Sequence, residues 1–219
     1  LDAGHGGADP GALGVSGAVR EKDLTLAFAN ELRDLLVERG RVRVALTRDG
    51  DSYVPLDARA AVARRLDAAL FVSLHMDSAA NPAARGASVY SLADVASDAE
   101  AARVADAANG GAAVTAAAAD PIKAALADLA LRARMTASAE LADRLVERAR
   151  GRAELRPEPH KFAAFHVLRT AQTPAILVEA GYLSNAEDEA MLRDPSRRRA
   201  LALVLAEAIE RDIAVRQAR

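Results

Sequence analysis

The sequence predicts an α/β domain spanning residues 1–219: a mixed, mainly parallel sheet flanked by helices on both faces, with a helical insertion at about 93–164. Three observations predict it. Short apolar runs of strand length, ALFVSLH at 69–75 and AILVE at 175–179, lack alternation, as strands buried on both faces do. Segments with apolar residues every three or four positions stand between them. An alanine-rich stretch of about 70 residues then interrupts the rhythm, longer than a connection between neighbouring strands needs.

The elements follow in order. Leu1-Asp2-Ala3-Gly4-His5 reads as a strand end entering a loop, so sequence upstream of Leu1 is expected and no leader is visible. Leu24, Phe28, Leu32 and Leu35 define a helix from Glu21 to about Arg39, stopped by Gly40. Val42 to Thr47 alternates like a strand, and Pro55 opens a short helix through about Leu66. After ALFVSLH, Ala87 to Leu92 is another strand. In the interruption, Gly110-Gly111 and the run Ala116 to Ala119 precede a helix started by Asp120-Pro121, with Ile122, Leu126 and Leu129 on one face. A separate helix carrying Leu141 and Leu145 follows. Beyond AILVE, Ser184 and Glu187 form a capping box, and Asp194-Pro195 starts a long final helix with Leu201, Val204, Ala208 and Ile213.

Composition narrows the function. Hydrophobic residues make up 51% but aromatics only 3%, so Leu and Val must supply most of the core volume. A net charge of −2 with 27% charged residues gives a mixed surface and no bulk attraction for nucleic acid. The absence of cysteine excludes thiolate metal sites, a cysteine nucleophile and disulfides. No apolar run approaches the roughly 18–20 residues of a membrane span.

Chemistry gathers at strand ends. His5, His75 and Glu179 each close a predicted strand, and functional crevices in α/β sheets lie at the carboxyl ends of strands. Two imidazoles and a carboxylate are the ligand set of many catalytic zinc sites. Taken alone, a strand-end histidine is as well explained by a surface or capping role. The spacing matches no compact zinc motif, and the Gly4–Gly7 loop lacks a phosphate-cradle pattern.

The segments LDAGHGGADPGALG, REKDLTLAFANEL, VALTRDGD, LDARAAVARRLDAALFVSLHMDS and PAILVEAGYLSNAEDE resemble, in order, the motifs of the N-acetylmuramoyl-L-alanine amidases, the zinc-dependent cell-wall amidases. The resemblance implies Zn2+ held by His5, Glu21 and His75, with Glu179 as the catalytic carboxylate. Arg48 and Arg59 fall in matching segments, as substrate contacts or structural ion pairs. His160 and His166 flank KFAAF, in structural or substrate-side roles rather than as ligands. The implied substrate is peptidoglycan and the implied compartment the periplasm.

Residues 96–111, ADLALRARMTASAELA and PHKFAAFHVL resemble the regulatory insert of the amidases that separate daughter cells. There a helix covers the zinc until a degenerate LytM-type activator protein withdraws it. This chain has Ala108-Asn109 where those inserts have Glu-Asn, so Asp106 or Glu100 must act as the plug, or the plug is weak. Two alternatives stand beside this reading: a zinc peptidase cutting within the stem peptide, and a non-catalytic wall-binding module. Retention of His5, Glu21, His75 and Glu179 together argues against the second.

Overall fold

The computed structural model describes residues 1–110 and 121–218. Gly111, the Ala116–Ala119 run and Asp120, named above, lie outside the described residues. In chain order the elements are β1 (Asp2–Ala3), α1 (Glu21–Arg39), α2 (Leu56–Arg65), β2 (Phe71–Asp77), β3 (Ala87–Leu92) and α3 (Ala99–Asn109). Then come α4 (Pro121–Ala149), β4 (Leu155–Ala163), α5 (His166–Thr170), β5 (Ala175–Tyr182), α6 (Ala186–Arg193) and α7 (Pro195–Gln217). The five strands lie in the order β1-β2-β5-β3-β4. All neighbours are parallel except β5 with β3, giving the expected mixed, mainly parallel sheet.

Alternation along the strands splits the core in two. Val72, Leu74 and Met76 of β2 with Ile176 and Val178 of β5 pack under α1, α4 and α7, against Phe28, Leu32, Leu141, Leu145 and Leu205. Phe71 and Leu177 point the other way, with Tyr90 and Leu92, toward α2, α3 and α5. By the same alternation His75, Asp77 and Glu179 belong to this second face. The active chemistry and α3 therefore share one side of the sheet.

Several expectations need correction. Residues 42–47 form no strand: their pairing is limited to Leu1, whose amino group donates to Ala45 O (2.7 Å) and whose carbonyl accepts from Thr47 N–H (3.0 Å). Residues 155–163, counted with the interruption, form edge strand β4; Pro157 and Pro159 hid it, and an edge is where a sheet tolerates proline. The two helices expected after residue 120 are one, α4, whose Ile122, Leu126 and Leu129 are exposed while Leu141 and Leu145 are buried. The cap of α6 is Asn185, accepting from the N–H groups of Glu187 and Asp188; Ser184 Oγ instead accepts from Ala79 N–H. Asp194 caps α7 as expected, with Pro195 in its first turn. No helix among the described residues is long and apolar enough to cross a membrane.

Candidate metal centre

The loop after β1 is forced into an unusual shape and then held there. His5 adopts a left-handed backbone (φ 59°), a conformation that costs a non-glycine residue about 1–3 kcal/mol. Buried cations supply the restraint. Arg48 donates to Ala3 O (3.0 Å) and Gly4 O (2.8 Å), and Arg59 to Ala3 O (2.6 Å) and His5 O (2.7 Å). Arg59 also pairs with Asp2 at 2.9 Å, and Lys22 Nζ donates to Gly7 O at 2.7 Å. Arg48 and Arg59 are 4% and 3% exposed, so of the two roles open to them the structural one holds.

Glycine is required where the loop meets the site. A Cβ on Gly4 would lie 2.3 Å from the His75 ring, and one on Gly11 would lie 2.5 Å from Glu21 Oε2 and 2.7 Å from His5 Cδ2. The backbone thus closes around the side chains that converge here.

Those side chains are His5, Glu21 and His75. Glu21 is in the first turn of α1, where the helix dipole favours a carboxylate. Its Oε2 accepts from Ala12 N–H (2.8 Å) and its Oε1 from Met76 N–H (3.0 Å). That Oε1 is also 3.0 Å from both His5 Nε2 and His75 Nδ1. The two rings meet edge to face, centroids 4.9 Å apart. One donor atom from each residue lies within 4.8 Å of the others, a spacing one metal ion can bridge. A two-nitrogen, one-oxygen donor set suits zinc.

The charges respond to this crowding. Burial alone would raise the Glu21 carboxyl, but the two imidazoles outweigh it and hold it far below its usual range. Burial would lower His5, yet Glu21 and then Asp9 hold it above its ordinary value. Asp9 Oδ2 accepts from His5 Nδ1 at 2.8 Å, which leaves Nε2 facing the cluster.

Glu179 stands directly across the β2–β5 pairing from His75. It is 4% exposed and its Oε2 has no hydrogen-bond partner among the described residues. Burial, then the charges of Asp77 and Glu21, push its carboxyl well above the usual range. A buried carboxylate left unpaired beside a cluster of metal-capable groups is poised to exchange a proton.

The remaining candidates are occupied elsewhere. His160 lies between Ser91 Oγ (2.8 Å) and Asp143 Oδ1 (2.7 Å), a serine–histidine–aspartate relay, but Ser91 is fully buried and no substrate reaches it. His166 pairs with Asp57, and Asn109 spans Ala164 O and His166 N–H. Neither expected plug is at the cluster. Glu100 binds Lys161, Arg156 and Tyr182 Oη, and Asp106 is exposed. Instead Arg103 of α3 grips Asp77, with both contacts at 2.9 Å. Asp9, Asp77 and Arg103 escaped the sequence reading. Asp77 had a signal, two residues past His75 on an alternating strand and hence on the same face.

Known proteins resemble this chain along nearly its full length. The family model described as N-acetylmuramoyl-L-alanine amidase matches residues 1–211. The amidase AmiA of Escherichia coli is 34% identical over 95% of this chain and 73% of its own length. The amidase AmiC of Neisseria meningitidis is 35% identical over 97% of this chain, which spans about half (52%) of that relative. Among solved structures, the catalytic domain of the amidase CwlV from Bacillus (Paenibacillus) polymyxa var. colistinus superposes with a TM-score of 0.69 at 28% identity. That match covers 98% of this chain and 96% of the CwlV chain.

Proposed function

This chain belongs to the N-acetylmuramoyl-L-alanine amidase family, and from that premise we propose how it acts as a peptidoglycan amidase. It hydrolyses the amide between the lactyl group of N-acetylmuramic acid and the first alanine of the stem peptide, with zinc held by His5 Nε2, Glu21 Oε1 and His75 Nδ1. The observation that carries this reading is the convergence of those three donor atoms, with the unpartnered Glu179 carboxyl across the strand pairing from His75. The residues fit the ion: the donors suit it, and glycines at 4 and 11 leave them room.

When bound, zinc supplies Lewis-acid polarisation of the scissile carbonyl and of a water. The protein does the rest. Arg48, Arg59 and Lys22 fix the loop that carries His5, and Asp9 orients its ring. Glu179 takes the proton of the attacking water on Oε2 and returns it to the departing alanine amine, base and then acid. Its raised proton affinity in the metal-free protein suits the second half of that task, and a bound cation draws it back toward the first.

Helix α3 acts as a lid. It lies on the sheet face that bears His75 and Glu179, and it is docked by few apolar groups: Ala101, Val104 and Ala105. A buried valine contributes about 1.5–3 kcal/mol and the alanines less, so charge supports the docking. Arg103 grips Asp77, and Glu100 bridges Lys161 and Arg156. With Ala108 in place of the glutamate of the cell-separating amidases, this lid lacks a plug and opens readily. Likeness to that insert supports a periplasmic role in daughter-cell separation and stimulation by a degenerate LytM-type activator, which shifts the population of the open state.

Digestion of purified peptidoglycan by the zinc-loaded protein tests the reaction. Intact stem peptides with a free amino-terminal alanine are the expected product. Peptides cut within the stem would make the chain a zinc peptidase. Wall binding without any release would make it a binding module.

A further inference from the structure

We propose that Asp77 is the cation-binding residue of the substrate cleft, and that Arg103 fills its place until an ammonium group of the substrate displaces it. The inference rests on the amidase reading above and adds a specificity residue to it.

Placement comes first. Asp77 ends β2 two residues beyond His75, on the same face, and pairs in register with Tyr182, three residues beyond Glu179 on β5. The Asp77 carboxylate therefore borders the groups that meet the scissile bond. It is 7% exposed, and apart from its neighbour's Ser78 N–H its hydrogen bonds come from the Arg103 guanidinium. A carboxylate this buried is costly without a cation.

The cation in place is unlike the cations that build the site. Arg48 and Arg59 are sealed into the fold, whereas the Arg103 side chain is 45% exposed and stems from the outer side of α3, next to the buried Val104. It can swing away without opening the core, and its departure leaves a ready-made cation site. Charge balance favours refilling it. Glu21, Asp77 and Glu179 bring three carboxylates to one cleft, and a single divalent ion does not neutralise them. The reaction brings a suitable group: hydrolysis frees the α-amine of the leaving alanine, and a stem peptide with a diamino acid carries a second ammonium. Each offers three donors to the position that Arg103 fills with its fork.

The test uses zinc-loaded protein and two fluorescent probes, muramoyl-L-Ala-D-isoGln-L-Lys and its Nε-acetyl-lysine counterpart. Their binding is read by anisotropy in the Glu179→Gln background, with and without Arg103→Gln and Asp77→Asn. If the side-chain amine is the ligand, the Arg103→Gln protein binds the lysine probe about tenfold tighter than the acetylated one, and Asp77→Asn erases the preference. If the leaving amine is the ligand, the two probes bind alike. The free product peptide then inhibits turnover by Arg103→Gln enzyme about tenfold more strongly than turnover by the enzyme that also carries Asp77→Asn. Should Asp77→Asn fail to fold, the wild-type Asp77 protein with and without Arg103→Gln carries the contrast, because only loss of Arg103 should create the preference or strengthen the inhibition. Probe preference and product inhibition that ignore both substitutions would overturn the proposal. A wild-type enzyme that releases no alanine amine would instead refute the amidase reading, while the binding arms would still report on Asp77.

Discussion

Replacing Asp9 by alanine isolates the orientation of one ligand from the ligand set itself. The carboxylate receives His5 Nδ1–H at 2.8 Å and Gly11 N–H at 3.1 Å, so it fixes the tautomer and ties the ring to the loop. Loss of such an outer contact typically costs 10- to 100-fold in metal affinity, about 1.4–2.8 kcal/mol. The Asp9 side chain is 43% exposed against 16% for His5, and solvent screens a contact at that position, which places the expectation near tenfold. The fold should survive, because the strained His5 backbone is held by Arg59 and its neighbours by Arg48, neither of which touches Asp9. Competition against a chromophoric zinc chelator at pH 7 gives the dissociation constant directly. A melting temperature near that of the parent, a Kd raised about tenfold, and turnover recovered at excess zinc are the expected set. A Kd within twofold of the parent would refute the reasoning, since His5 would then be oriented without its partner.

Other consequences can be measured on the same protein. Glu179→Gln should keep its zinc and lose about 10²–10⁴-fold in turnover; near-normal hydrolysis would mean another group moves the proton. Glu100 tests the docking of α3. Burial would raise its carboxyl, but Lys161, Tyr182 and Arg156 hold it down at about 2 from an ordinary 4.5. The docked helix therefore favours the ionised form, and its stabilisation is complete above about pH 4.5 and fades as pH falls toward 2. Amide-exchange protection of α3 should drop between pH 5 and 3 (about the Glu100 range) before that of β2 and β5, and a uniform loss would separate Glu100 from the docking. Deleting residues 96–119 should raise basal peptidoglycan hydrolysis several-fold at unchanged zinc content. A folded, zinc-loaded deletion no faster than the parent would show that the segment is no lid.

Much of this architecture was legible because burial writes itself into period. Helix α1, with Leu24, Phe28, Leu32 and Leu35 on one face, begins and ends where its pattern does. Strands β2 and β5 were visible as unbroken apolar runs because both faces are covered. Strand β4 was hidden by prolines that only an edge accepts, and residues 42–47 alternate without strand partners beyond Leu1. The site divided the same way. His5, His75 and Glu179 stood out at strand ends, but nothing local marks Glu21 as the third member of the cluster. It meets His5 from 16 residues away and His75 from 54, a convergence only tertiary structure or family resemblance reveals. Arg103 is more opaque still. Its partner lies 26 residues earlier on another element, and an exposed helical arginine gives no sign of what it covers.

The central claim is that His5, Glu21 and His75 together hold the ion on which hydrolysis depends. Elemental analysis of the dialysed protein and of its His75→Ala variant tests it most directly. The account predicts close to one equivalent of zinc per chain in the parent, and loss of both zinc and turnover in the variant. An unchanged stoichiometry in His75→Ala, or a metal-free parent that still hydrolyses peptidoglycan, would contradict it.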